Sequence, residues 1–193
     1  SVDEELVTLI YRETEGNPFY VEEMVKALIE EGKIYRENGQ LRWVNIESLE
    51  IPQSIKDLIV RRLHHLSESA LKVMRTAAVI GQRFSFKVLV AVMEEEEEIV
   101  LDGIDEALRL RLIKDVVAED VLVFSYGKIR EVLYSEISRL RRRTLHRKVG
   151  QALETIYRSA TSQVLDQLAY HYVRGENWEK AVELDPKYDY PVY

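Results

Sequence analysis

The spacing of apolar residues divides the chain before any motif is considered. Leu6, Val7, Leu9 and Ile10 mark a helix over 3–13, and Phe19, Val21, Met24, Val25, Leu28 and Ile29 recur at helical spacing until Gly32 stops the next. Lys33-Ile34-Tyr35-Arg36 and Leu41-Arg42-Trp43-Val44 flank Asn38-Gly39, a dipeptide favoured in two-residue hairpins because both turn positions need positive φ. Pro52 begins a third helix with Ile55, Leu58, Ile59, Leu63 and Leu66 in one apolar stripe. Residues 1–66 therefore read as a small helical module carrying a hairpin.

The next segment, 67–137, has the element order of a winged helix. Ser67 caps a helix over 68–80 with Leu71, Val73, Met74, Ala77 and Ala78 inward. Gly81 ends it, Ser85 caps a helix over 86–93, and 98–110 supplies the third. Strand patterns at 112–117 and 121–124 follow, joined by Ala118-Glu119-Asp120. Three helices and a two-stranded wing form the helix-turn-helix variant that most often meets DNA.

Residues 138–184 are helical throughout. After a helix expected at 128–137, which closes the preceding segment, helices at 139–157, 163–173 and 178–184 are set off by Ser138, by 159–162 and by Gly175-Glu176-Asn177. Leu168-Ala169-Tyr170-His171-Tyr172 followed by Trp178-Glu179-Lys180-Ala181 looks like one tetratricopeptide unit, an aromatic helix and an Ala-bearing helix turning through a Gly. A single unit cannot bury both of its faces, so a longer repeat array is expected. Residues 185–193, with Pro186 and Pro191 among tyrosines, read as a tail. The expected fold is mainly α: a helical lid module with a β-hairpin, a winged-helix domain, then α-helical repeat-like hairpins.

Composition narrows the function classes. The 193 residues, 46% hydrophobic and 32% charged, suffice for one large or two small cores of an ordinary globular protein. No apolar run approaches the roughly twenty residues that span a bilayer, and no basic-then-apolar start marks export. With no cysteine, disulfides, thiolate metal sites and thiol catalysis are excluded. A cytoplasmic protein without membrane association is the expectation.

Glycines stand only at 16, 32, 39, 81, 103, 127, 150 and 175. A phosphate-cradling loop needs two glycines five apart with Lys-Ser or Lys-Thr after the second, and a dinucleotide loop needs three within six residues. Neither arrangement is present, nor is a Gly-x-Ser-x-Gly nucleophile elbow. The chain is therefore not expected to be an enzyme, nor to bind a cofactor on its own.

The net charge of −7 is unevenly spread. Residues 126–158 hold 9 bases against 3 acids, and every other segment is acidic. Arg139, Arg141, Arg142, Arg143, Arg147 and Lys148 could meet phosphates or a protein partner, although a basic helix is more often a solvated face or an intramolecular partner for acids. The third winged-helix helix carries Asp102, Asp105 and Glu106 and is preceded by Glu94 to Glu98. That acidity would repel DNA phosphates, so nucleic acid is disfavoured and a protein partner favoured.

Two separated motifs carry a family resemblance. Glu15-Gly16-Asn17-Pro18-Phe19-Tyr20 opens a helix, Gly tolerating positive φ and Pro fitting the first helical position. More than a hundred residues on stands Phe124-Ser125-Tyr126-Gly127-Lys128-Ile129-Arg130. In this order around a winged-helix pattern, from about Leu6 to Leu184, the chain resembles the C-terminal part of a STAND-class signal-transduction P-loop ATPase. The resemblance implies an upstream nucleotide-binding core that holds ATP or ADP with Mg, and a downstream repeat sensor. It implies that Pro18, with Gly16 alongside, lies against the adenine when that core is present. The family's Phe-x-His-x-x-Ile-Arg segment is matched at Phe124, Ile129 and Arg130, while Tyr126 stands where the histidine faces the β-phosphate of ADP and Gly127 where an acid is common. A tyrosine hydroxyl can bond a phosphate but cannot carry positive charge.

Other candidates are poorer. His64 and His65 are adjacent on a helix, and His146 and His171 lie far along the chain, so no two-His metal spacing appears and packing or solvation is expected. The run Glu94 to Glu98 lacks the alternation of a calcium loop, and the 11 tyrosines point first to helix packing. Two function classes stay open: a non-catalytic regulatory fragment of a STAND-type ATPase, and a winged-helix transcription regulator using the 139–148 bases on DNA.

Overall fold

A computed structural model of the chain describes residues 2–14, 16, 18–37, 40–44, 55–116 and 121–184. The described residues are mainly helical, with ten α-helices and five short strands, and the chain divides into two compact units, 1–64 and 65–193.

The first unit contains α1 (Val2–Thr14), α2 (Pro18–Glu30), the hairpin β1 (Ile34–Glu37) and β2 (Gln40–Trp43), and α3 (Ile55–Leu63). Leu9 and Ile10 of α1 meet Met24 and Leu28 of α2, and Ile34 joins them because its antiparallel partner in the register is Trp43, which packs on the same cluster. Gly32 at φ +67 lets Lys33 N–H reach back to the Leu28 carbonyl at 2.8 Å, satisfying an end carbonyl of α2. Leu58, Ile59 and Leu63 bury the apolar face of α3, and Arg62 Nη1 lies 2.6 Å from the buried Glu23 carboxylate. Burial raises the Glu23 pKa, opposed by Arg62 and Lys26. Asn38-Gly39 and Pro52 lie outside the described residues, as does Asn17.

The second unit begins with α4 (Glu68–Ile80), whose cap is as expected: the Ser67 hydroxyl accepts from Ala70 N–H at 3.2 Å. That hydroxyl also donates to Glu106 Oε1 at 2.7 Å, and Ser67 N–H donates to Oε2 at 2.9 Å, tying the cap to α6 (Glu97–Arg109). These bonds hold the Glu106 carboxyl below its ordinary pKa. The two helices cross closely at Gly103, where a Cβ would lie 2.7 Å from Val73 Cγ2. Between them run β3 (Arg83–Ser85) and α5 (Phe86–Met93), and after them β4 (Ile113–Val116) and β5 (Val121–Phe124).

One strand was not expected. β3 adds to the wing in the order β3-β5-β4, all antiparallel, with Phe84 opposite Leu122 and Asp115 opposite Leu122 on the other side. Ser85, expected to cap α5, is the last residue of β3 and its side chain makes no capping bond. The connection 117–120 lies outside the described residues.

Four helices follow: α7 (Gly127–Glu136), α8 (Arg139–Ile156), α9 (Leu165–Arg174) and α10 (Trp178–Leu184), with a 3-10 turn at Thr161–Gln163 before α9. Segment 138–184 shares its core with the winged-helix segment. Val79 of α4 and Val88 and Val92 of α5 lie in one cluster with Val149, Leu153, Leu168, Tyr172 and Ala181. Gly150 makes this approach possible, because a Cβ there would stand 2.7 Å from the Tyr172 ring. The tail at 185–193 lies outside the described residues.

Candidate functional site

The two motif segments lie in different units and are described separately. In the first, Gly16 at φ +73 turns the chain out of α1, and Pro18 opens α2. The turn is held by Thr14, whose buried hydroxyl donates to the Ile10 carbonyl at 2.6 Å and accepts from Gly16 N–H at 3.3 Å. The Tyr11 ring lies against Gly16, where a Cβ would be 2.9 Å from Cε2. Gly16 and Pro18 are both exposed.

In the second unit, the motif positions divide into anchors and a rim. Phe124 ends β5 buried against Phe84, ring centroids 5.6 Å apart, and its backbone is clamped by Gln82: N–H to the Gln82 carbonyl at 3.0 Å, carbonyl from Gln82 Nε2 at 2.8 Å. Ile129 is fully buried, and Arg130 Nε donates to the Ala78 carbonyl at 2.9 Å, satisfying an orphan acceptor in the last turn of α4. Tyr126 occupies the extended N-cap position of α7, half-buried, with Lys114 Nζ 5.8 Å from its ring centroid. Gly127, the first helical residue, is exposed, and a Cβ there would meet only Gln82 Oε1 at 3.8 Å. The anchors hold the segment in place while Tyr126 and Gly127 stay at the surface of the unit.

The basic run on α8 is largely spent within the chain. Arg139 and Arg143 bind the Glu176 carboxylate at 3.2 and 2.8 Å, which holds that carboxyl below its ordinary pKa. Arg147 Nε donates to the Gly175 carbonyl at 2.6 Å, and Lys148 pairs with Glu94 at 2.7 Å. Arg142 lies over the Tyr134 ring at 4.9 Å, and Arg141 is exposed. The three arginines converge on a turn in which Glu176, at φ +52, is the left-handed residue. Gly175 is right-handed there; its bare Cα instead makes room for Arg147 Cγ, 2.8 Å from where a Cβ would be.

The histidines separated in sequence are joined in space. His146 Nδ1 and His171 Nδ1 are 2.8 Å apart, both rings buried, and the Tyr134 hydroxyl is 3.0 Å from His146 Nε2. Neutral rings carry one proton each, so one Nδ1 of this pair donates and the other accepts. These contacts link α7 to α8 through Tyr134 and His146, and α8 to α9 through the two histidines. Burial, with the charges of His171, Arg174, Arg130 and Arg142, holds His146 down to about 3; burial chiefly holds His171 at about 4. Both rings are neutral at pH 7. Residue spacing gave no signal of this pair, since the contact is made by helices 25 residues apart.

A cleft of about 520 Å³ opens between α4 and the α7–α8 junction, lined by Lys72, Arg75 and Arg141 but also by Glu68 and Glu136. Among the described residues, no group of three or more His, Cys, Asp or Glu side chains is placed to hold a metal ion, and no helix is long and apolar enough to cross a membrane. A domain family of unknown function, DUF8739, matches residues 1–42, from α1 into the hairpin. No curated protein and no solved structure matches the chain.

Proposed function

We propose that the chain is a non-catalytic regulatory segment of a STAND-type ATPase, its helical lid and winged helix controlling nucleotide-dependent opening and relaying it to a repeat sensor. The observation that carries this reading is the surface position of Tyr126 and Gly127 at the start of α7, directly after a winged helix, while Phe124, Ile129 and Arg130 fix the same segment from behind. Exposure of Gly16 and Pro18 at their own helix start adds to it. These residues offer flat contact surfaces and one hydroxyl, and the glycine spacing around them is not that of a phosphate-cradling loop. ATP or ADP with Mg would thus be held by an upstream core, with Gly16, Pro18 and Tyr126 contacting it only in that context. The partners are that core, a downstream repeat sensor of the same chain and further proteins, in the cytoplasm.

The DNA-reading alternative has less support. Four of the six bases on α8 are engaged by carboxylates or carbonyls, and α6, the third helix, presents exposed Glu97, Glu98, Asp102 and Asp105. Titration of mixed duplex DNA with salt separates the two readings: no binding at low salt removes the alternative, and a steep salt-dependent loss of affinity would favour it. Reading the residues encoded before Ser1 tests the main proposal, for which a P-loop is the expected finding and its absence the refuting one.

A further inference from the structure

We infer that Arg130, Arg142 and Arg174 form a binding site for a phosphomonoester dianion where α7, α8 and α9 meet. The three guanidiniums come from three helices to one aromatic cluster. Arg130 and Arg142 lie 5.8 and 4.9 Å from the Tyr134 ring centroid, and Arg174 lies 5.6 Å from that of Tyr170. Both tyrosine rings pack edge-on to His146, at 6.0 and 5.7 Å. Each of the three charges also acts on the His146 ring between these tyrosines and lowers its pKa.

Among the described residues, none of the three arginines has a carboxylate partner. The nearby acids are already committed: Glu131 to Lys128, Glu136 to Arg75, and Glu176 to Arg139 and Arg143. Arg130 spends its Nε on the Ala78 carbonyl, and Arg142 and Arg174 make ring contacts that leave their outward donors for a ligand. The histidine pair beneath is neutral and neither adds to nor offsets the excess of three positive charges.

The ligand class follows from this arrangement. Guanidinium groups present planar donor forks that fit phosphate oxygens, and stacking on the tyrosines has already ordered them. A phosphomonoester, carrying nearly two negative charges at pH 7, matches three uncompensated cations better than a carboxylate does. A nucleic-acid backbone needs a track of donors, and the neighbouring positions on α8 that would extend one, Arg139, Arg143 and Arg147, are occupied. This inference shares Arg130 with the nucleotide reading, in which its Nε bond to Ala78 fixes the motif segment, but Tyr126 and Gly127 take no part in it.

The test is calorimetric titration of inorganic phosphate and, separately, of phosphoserine into the full chain at low salt, with NMR of the His146 ring protons. Saturable binding that shifts the His146 signals is expected. It should weaken about tenfold in Arg142→Gln and in Arg174→Gln, as for one lost charge-assisted hydrogen bond, and stay unchanged in Arg141→Gln, whose side chain is exposed on the same helix. Tighter binding of phosphoserine marks a phosphorylated side chain as the source, and tighter binding of inorganic phosphate marks the free ion. Circular dichroism of each variant establishes that it is folded. No saturable binding, an equal loss in Arg141→Gln, or duplex DNA binding abolished by the two substitutions without phosphate binding would overturn the assignment.

Discussion

The joined histidines make stability depend on pH in a window where few other groups titrate. The folded chain holds His146 near 3 and His171 near 4, against an ordinary value of about 6.5. Because the folded values are depressed, the unfolded chain takes up protons below pH 6.5 that the folded chain refuses. The stability from the neutral pair is present above pH 6.5 and is lost as pH falls toward the folded values. At pH 5 the loss is about 2 kcal/mol for each ring, hence up to about 4 kcal/mol for a pair that titrates as a unit. Ordinary carboxylates, with values of about 3.9 and 4.3, contribute little until lower pH. Glu106 and Glu176, both lowered, act there too, and Glu23, raised by burial, works in the opposite sense by taking a proton first in the folded state. Urea unfolding followed by tryptophan fluorescence and circular dichroism at pH 7.5 and pH 5.0 measures this directly. The expected result is a midpoint that drops on acidification, with uptake of close to two protons on unfolding at pH 5. A double His146→Gln/His171→Gln variant should be less stable at pH 7.5 and should lose most of the dependence. Stability that is flat between the two pH values, or an equally steep dependence in the double variant, would refute the reasoning.

Three further substitutions probe the packing. Ser67→Ala should cost about 1 kcal/mol in denaturant unfolding, since Ala70 N–H loses its acceptor and Glu106 loses its hydroxyl donor. Gly103→Ala should destabilise despite the roughly 1 kcal/mol that Ala gains in a helix, because its Cβ would sit 2.7 Å from Val73 Cγ2 and 3.2 Å from Ala70 Cα; a rise in melting temperature would contradict the observed crossing of α4 and α6. Leu168→Ala, at a fully buried position, should cost about 2–5 kcal/mol and lower the unfolding of the wing and the C-terminal helices together; two separate transitions within 65–184 would contradict a shared core.

Much of the architecture was legible because local signals and tertiary demands agreed. Ser67 caps α4 as expected and Gly81 ends it in an extended conformation; Met24 and Leu28 of α2 and Val73, Met74, Ala77 and Ala78 of α4 are buried, whereas Ile29 at the end of the α2 stripe is exposed. β3 was not legible: Arg83-Phe84-Ser85 has one buried apolar residue and becomes a strand only because β5 supplies partners about forty residues away. Gly175 was read as a turn glycine, but the left-handed residue is Glu176, and the glycine is there to admit Arg147. The arginine run on α8 could be read as a charge excess, whereas its partner Glu176 lies 33 residues beyond Arg143 and could not be paired by spacing. The histidine pair failed to appear for the same reason. Of the motif residues, Gly16 and Pro18 were legible as a helix entry, and Tyr126 as a junction; what they contact beyond this chain is a property of the resemblance.

The central claim is that Tyr126 is a nucleotide-facing residue, and its most direct test is ADP retention. In a protein that joins the proposed nucleotide-binding core to this chain, dissociation of radiolabelled ADP is followed by filter binding for the wild type and for Tyr126→Ala. The half-exposed position of Tyr126, with no side-chain capping bond to α7, predicts that the substitution leaves the fold of this chain nearly intact. The account predicts a change in ADP release on the order of tenfold, the effect of losing one hydrogen bond to a charged group. Unchanged ADP release from a folded variant, or unfolding of the chain without any change in release, would contradict it.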